Sequence, residues 1–257
     1  TGAITYLKPP PELPKRVPLK NVVPNEGQYG QGKASKKTDY SHELIMNEAL
    51  RWVEANKDDP FFLYLALTIP HANNEAGREG MEIPDYGQYS DRDWPAPQKG
   101  HAAMISLMDR DIGRLMDLLK EHELDEKTLV IFTSDNGPHR EGGNNPDFQD
   151  SNGPLKGIKR SLTEGGIRVP TIARWPGKIE AGTTSDFVGC FQDIMPMWAE
   201  IAGARRASYP DDVDGISFAS TLTGKGEQAD REFLYWAFYE GGGARAMRMG
   251  KWKAVQQ

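Results

Sequence analysis

A handful of side chains in this sequence have types and settings that could do chemistry. Asp135-Asn136-Gly137 closes an apolar run, Thr128 to Thr133, and pairs a carboxylate with an amide oxygen. Hard cations such as Ca²⁺ and Mg²⁺ take such oxygens. The same tripeptide is also ordinary turn chemistry. Lys156 and Lys159 follow in a glycine-flanked loop. A lysine held there meets an oxyanion as a compact point charge, although for either one alone a surface lysine is the stronger reading. His71 stands just past a second apolar run and Pro70. An imidazole there suits a general acid near neutral pH, and a satisfied structural histidine fits the position as well. Cys190 is the single cysteine, so no intrachain disulfide forms. Its apolar setting, Phe187 to Phe191, reads as a buried structural thiol rather than a nucleophile.

These residues need elements to position them. Phe61 to Ile69 is apolar at nearly every step, the pattern of a strand buried on both faces of a parallel sheet. Before it, Ile45, Ala49, Trp52 and Val53 share one face of a helix from Ser41 to about Lys57, with Asp39 or Ser41 as cap. After a polar loop over 72–97, Met104, Met108, Ile112, Leu115 and Leu119 mark the longest helix, Gln98 to Glu123. Asp109, Arg110, Asp111 and Arg114 fall on its solvated faces. Strand 61–69, helix 98–123 and strand 128–133 then form a βαβ unit, whose parallel strands bring His71 and Asp135-Asn136 to one sheet edge.

Beyond the central loop, Val169 to Ala173 reads as the returning strand and Trp175-Pro176-Gly177 as a turn. Phe187 to Phe191 suggests a further strand, and Asp193 caps a helix that Gly203 stops. Residues 204–215 read as a polar linker. The remainder, with Phe233 to Tyr239, Ala244 to Met249 and a turn at Gly250, reads as antiparallel strands. The organisation is therefore a proline-rich extended segment over 1–40, an incomplete α/β domain over 41–203, and the start of an antiparallel subdomain over 204–257. The chain opens without Met and stops inside a strand, which reads as a fragment.

Composition narrows the function classes. The 257 residues carry a net charge of -6 and have 38% hydrophobic and 26% charged residues, ordinary for a globular protein. No basic block tracks nucleic-acid phosphates, and no apolar run reaches the roughly 20 residues of a membrane-spanning helix.

Four segments taken together, FFLYLALTIPH, DRDIGRLMDLLKE, TLVIFTSDNGPH and PLKGIKRSLTEGGIRVPTIARWPGKI, resemble the formylglycine-dependent sulfatases of the alkaline-phosphatase-like superfamily. The most specific part is K-x-x-x-x-E-G-G-x-R-x-P downstream of S-D-N-G. The resemblance implies a mostly parallel α/β sheet flanked by helices and hydrolysis of sulfate monoesters, aryl or carbohydrate. It implies Asp135 and Asn136 as Ca²⁺ ligands, with Mg²⁺ the lesser alternative, Lys159 as the sulfate contact and His71 beside the leaving-group oxygen. It places His139, Asn152 and Lys156 toward the rest of the substrate. A periplasmic, extracellular or lysosome-like location follows from the same likeness.

The sequence departs from the pattern at the nucleophile. Neither Cys-x-Pro-x-Arg nor Ser-x-Pro-x-Arg, the source of formylglycine, occurs, and the two upstream Asp ligands are missing. Two alternatives therefore stand beside sulfate-ester hydrolysis: an inactive sulfatase-like piece with a binding role, and phosphoester hydrolysis in the same superfamily.

Overall fold

The computed structural model describes residues 38–204 and 212–256, together with the backbone of 22–24 and 32–34. Most of the proline-rich segment and of the polar linker lie outside the described residues. Within the former, β1 (Val22–Pro24) and β2 (Gly32–Ala34) pair antiparallel, where the composition suggested only extended chain. The chain divides into two compact units. One holds residues 1–118 and 139–149, the other 119–138 and 150–257.

In the first unit, helix α1 (Ser41–Asn56) buries His42, Met46, Ala49 and Val53, positions that recur on one turn-spaced face. The expected face was one position off for its first half: Ile45 is half-buried and Met46 is fully buried. Tyr40 occupies the N-cap without a side-chain bond, so neither Asp39 nor Ser41 caps the helix. Helix α2 (Ala96–Glu121) is the longest element, as its periodicity predicted. Met104 of α2 packs with Ile69, Ala72 and Met81, and Tyr40, Leu107 and Met108 close around them.

Two further expectations fail in this unit. Asp111 is not on a solvated face: its side chain is fully buried and its Oδ2 lies 3.1 Å from Nε2 of equally buried His42. Arg110 and Arg114 reach over it with bonds of 2.9 and 3.1 Å. Burial raises the Asp111 carboxyl, but these guanidinium bonds outweigh it and hold the group below its ordinary value. Burial pulls His42 the other way from its partner and wins, lowering the imidazole below its usual range.

Residues 61–68 are extended chain but not a strand of a sheet among the described residues. Their exposure alternates, with Phe62 at 62% and Tyr64 at 77%. Alternation is the signature of an extended backbone. A run apolar on both faces becomes a central strand only where other elements cover both of them, and here one face stays open.

In the second unit, β3 (Val130–Thr133) pairs antiparallel with β4 (Thr171–Arg174), from Val130 opposite Arg174 to Thr133 opposite Thr171. The expected parallel βαβ unit is thus absent from the described residues, where every strand pair is antiparallel. Between β3 and β4 lies the long loop, with two short 3-10 turns, Glu141–Gly143 and Pro146–Phe148, and one short α-helix, α3 (Glu164–Ile167). Helix α4 (Ile194–Ile201) follows, and Gly203 at φ 68° ends it as anticipated. With α5 (Ala219–Thr223), α4 forms a core of Met197, Phe218 and Ala219 onto which Leu129, Ile131 and Phe187 pack.

Phe187 to Phe191 is not a strand. Its backbone is anchored by side chains: Ser185 Oγ accepts from Phe187 N–H, and the Asp193 carboxylate accepts from Cys190 N–H at 2.8 Å. Asp193 also accepts from Ile216 N–H and from the Arg231 guanidinium, so it ties three segments together rather than capping α4. The expected antiparallel meander is present as β5 (Leu234–Phe238), β6 (Ala244–Met249) and β7 (Trp252–Gln256).

The His42–Asp111 pair gives a stability prediction. Asp111→Ala strands a buried imidazole under two guanidinium groups and lowers unfolding free energy by about 3 kcal/mol in urea titration. The pH course has a definite sign. Because folded His42 binds its proton less readily than the unfolded chain does, wild-type stability is fully present above about pH 6.5 and falls as pH drops below it.

Candidate functional site

The second unit builds its site from close approaches of bare backbone. Gly137, just after β3, packs so tightly on α3 that a Cβ there would sit 1.8 Å from the Gly165 carbonyl oxygen. Added Cβ atoms at Gly165 and Gly166 would meet the Gly157 and Ser161 carbonyls, each at 2.1 Å. Only glycine fits these contacts, which accounts for the spacing of Asp-Asn-Gly and Glu-Gly-Gly in the sequence. Hydrogen bonds then fasten the two segments: Gly137 N–H donates to Gly166 O and Lys159 N–H donates to Pro138 O, both at 2.9 Å.

The loop between them is held by its own polar groups. The Asn152 side-chain amide donates to Leu155 O and Gly157 O, each at 2.6 Å, so its N–H groups serve the loop. Thr163 Oγ1 donates to Lys156 O, and Gly165 N–H donates to the same carbonyl at 2.8 Å. Arg160, next to Lys159, adopts φ 74°, in the left-handed region that non-glycine residues rarely occupy. Of the residues singled out from sequence, Asp135, Asn136, Asn152, Lys156 and Lys159 thus share one unit and one hydrogen-bonded turn-and-loop system.

Asp135 is exposed and its carboxylate has no hydrogen-bond or ion-pair partner among the described residues. Asn136 turns its amide nitrogen to Gly137 O, leaving its side-chain oxygen to face elsewhere. Two such oxygens suit a hard cation in kind but give only part of the roughly 6–8 ligands that Ca²⁺ takes. Among the described residues no group of three or more His, Cys, Asp or Glu gathers around a common point.

His71 and His139 lie in the first unit, where their rings stack with centroids 5.4 Å apart. The backbone decides the state of His139. Its Nδ1 accepts from Glu141 N–H at 3.1 Å, so the proton sits on Nε2, which donates to Pro70 O at 3.2 Å. His139 is buried with both nitrogens engaged by backbone, which gives it the place of a structural wall. His71 Nδ1–H donates to Ala72 O at 2.7 Å, and its Nε2 faces Glu141 Oε2 at 3.4 Å. His101 of α2 completes the cluster, edge-on to His139 and 3.3 Å from Gln149 Oε1. Burial lowers its imidazole below the usual range.

Glu141 is the residue that sequence reasoning missed. It is set by Gly142, whose φ of 63° lets the loop press onto Ala72, where a Cβ would come within 2.6 Å of the alanine methyl. The signal was available in His139-Arg140-Glu141-Gly142-Gly143: a carboxylate followed by paired glycines, as at Glu164. Cys190, by contrast, is no candidate. Burial, and a bond from Sγ to Asp193 Oδ2 at 3.3 Å, push its thiol up to about 12.

Comparison with known proteins shows the family. The Sulfatase family model matches residues 9–204, and a second, N-sulphoglucosamine sulphohydrolase, C-terminal, matches 158–253. The chain belongs to the sulfatase family. It is 32% identical over 216 residues to N-acetylgalactosamine-6-sulfatase of Canis lupus familiaris, covering 82% of this chain and 37% of that protein. It is 34% identical over 192 residues to steryl-sulfatase of Homo sapiens, covering 73% of this chain and 30% of the other. Among solved structures, Ps i-CgsB in complex with k-i-k-neocarrahexaose superposes with a TM-score of 0.72 at 29% identity, over 89% of this chain and 48% of that one. The PsFucS1 sulfatase from Pseudoalteromonas sp. gives 0.64 at 27% identity, over 82% of this chain and 40% of that one. The chain thus spans little more than a third of the first of these curated relatives. Among the described residues, no helix is long and apolar enough to cross a membrane.

The packing makes three predictions. Gly137→Ala costs at least about 2 kcal/mol in urea unfolding, because backbone must move to admit the methyl. Gly113→Ala, on an open face of α2, instead stabilises by about 0.5–1 kcal/mol. Cys190 stays unreactive toward a disulfide reagent at pH 8 in the native chain and reacts at once in denaturant.

Proposed function

We propose that this chain is the part of a sulfate-ester hydrolase that carries the anion-contacting lysine and one portion of its metal shell. The observation that carries the reading is the glycine-locked junction of the Asp135-Asn136 turn with the loop bearing Lys159. Two hard oxygens and a cation tethered to one rigid backbone suit a sulfate group held between a metal ion and an ammonium.

In this reading Asp135 and Asn136 hold Ca²⁺, with Mg²⁺ less suited to the site, and the remaining ligands and a formylglycine nucleophile lie outside this chain. The ion, when bound, draws charge from the sulfate oxygens. Lys159 places a fixed positive charge where negative charge grows in the transition state. His71 supplies the proton for the departing alcohol. Its Nδ1–H is held by Ala72 O and its Nε2 faces the Glu141 carboxylate, so Glu141 orients the ring for that transfer. His139 backs the ring as a neutral wall.

The substrate class that fits is a sulfated carbohydrate, with a simple aryl sulfate as surrogate. Support comes from the similarity to N-acetylgalactosamine-6-sulfatase and to Ps i-CgsB in complex with k-i-k-neocarrahexaose. An extracytoplasmic location accords with such a substrate. The isolated 257-residue chain is expected to be inactive, since it holds no Cys/Ser-x-Pro-x-Arg motif.

The test is turnover of 4-nitrophenyl sulfate and 4-nitrophenyl phosphate by the complete protein. The sulfate ester is expected to be preferred, with Lys159→Ala lowering kcat/KM by about 10²–10³-fold. Preference for the phosphate ester, or full activity in Lys159→Ala, would contradict the reading.

A further inference from the structure

A cleft of about 450 Å³ lies wholly within the second unit, against the loop that carries Lys156. One wall is the loop and α3, with Lys156, Glu164 and Arg168. The other is the β6–β7 hairpin, with Arg248, Lys251 and Lys253. Five cationic side chains therefore face a single carboxylate, in a chain whose net charge is -6.

That carboxylate is already spoken for. Lys253 Nζ bonds to Glu164 Oε1 at 2.7 Å and stands 4.9 Å from the centre of the Trp236 ring, so it is a fixed, mostly buried floor. Arg248 Nε donates to Gly250 O at 3.1 Å, fixing the hairpin turn beside it. Lys251 lies 5.7 Å over the Trp252 ring. Lys156 and Arg168 are exposed, and neither has an ion-pair partner among the described residues. Grouping like charges costs free energy that one carboxylate, already paired with Lys253, offsets only in part, whereas a ligand with spaced anionic groups would return the rest.

We infer that this cleft is a second anion subsite, which holds a sulfate or carboxylate of a sulfated oligosaccharide other than the ester being cleaved. The volume falls within the roughly 300–1,000 Å³ of small-ligand sites and exceeds the needs of a lone inorganic anion. Lys156 and Lys251 grip the anionic groups from opposite walls. The inference deepens the sulfated-carbohydrate reading and rests on it for the choice of ligand. Its test needs no turnover, so the two can fail separately.

The experiment titrates the full 257-residue chain, without Ca²⁺, with a chondroitin sulfate hexasaccharide, followed by tryptophan fluorescence and calorimetry. Saturable, salt-sensitive binding is expected. Lys156→Gln/Lys251→Gln weakens it at least tenfold while circular dichroism stays native. Asp135→Asn and Lys159→Gln change it less than twofold, which separates the cleft from the proposed catalytic site. The desulfated hexasaccharide and inorganic sulfate bind far more weakly. No saturable binding, equal affinity in the double variant, or equally tight binding of a single-stranded DNA 12-mer would overturn the proposal.

Discussion

The contact between Gly137 and the Gly165-Gly166 backbone is the constraint on which the rest of the site depends. It brings two segments nearly thirty residues apart, the turn after β3 and the start of α3, closer than any side chain would permit. Hydrogen bonds from Gly137 and Lys159 then convert proximity into register. Asp135, Asn136 and Lys159 hold fixed attachment points because the backbone beneath them cannot slide. Preorganisation of this kind is what an electrostatic site requires, since charges that must move to meet a transition state lose much of their effect.

The same device recurs in the first unit. Gly142 lets its loop press on Ala72, and that approach places Glu141 against His71. In both units a carboxylate-glycine-glycine segment delivers a charged group by giving up side-chain volume next to it. Asp193 shows the contrasting solution: a buried carboxylate that gathers two backbone N–H groups and a guanidinium, and serves only architecture.

Much of this was legible in the chain itself. Helical period placed α1 and α2, and glycine punctuation placed the end of α4 and the last hairpin. The joint pattern of S-D-N-G and K-x-x-x-x-E-G-G carried the family resemblance that the comparisons then showed. What misled was information that is not local. Phe61 to Ile69 reads as a central strand because its composition reports what must cover it, not what pairs with it in the described residues. Phe187 to Phe191 is apolar and extended, yet side-chain anchors replace a ladder. Asp111 looked like one more charge on an outer face, and only the position of His42 on α1 shows why it turns inward. Glu141 sits outside any periodic element, so only the fold could bring it to His71.

The central claim is that the glycine-locked turn and loop together hold one sulfate group and part of a metal shell. The most direct measurement is a crystal structure of the complete protein grown with Ca²⁺ and sulfate, with the cation located by anomalous scattering. The account predicts a Ca²⁺ peak bonded to the Asp135 carboxylate and the Asn136 side-chain oxygen, with a tetrahedral anion in hydrogen-bond reach of Lys159 Nζ. A cation bound elsewhere, or an anion that bypasses Lys159, would contradict it.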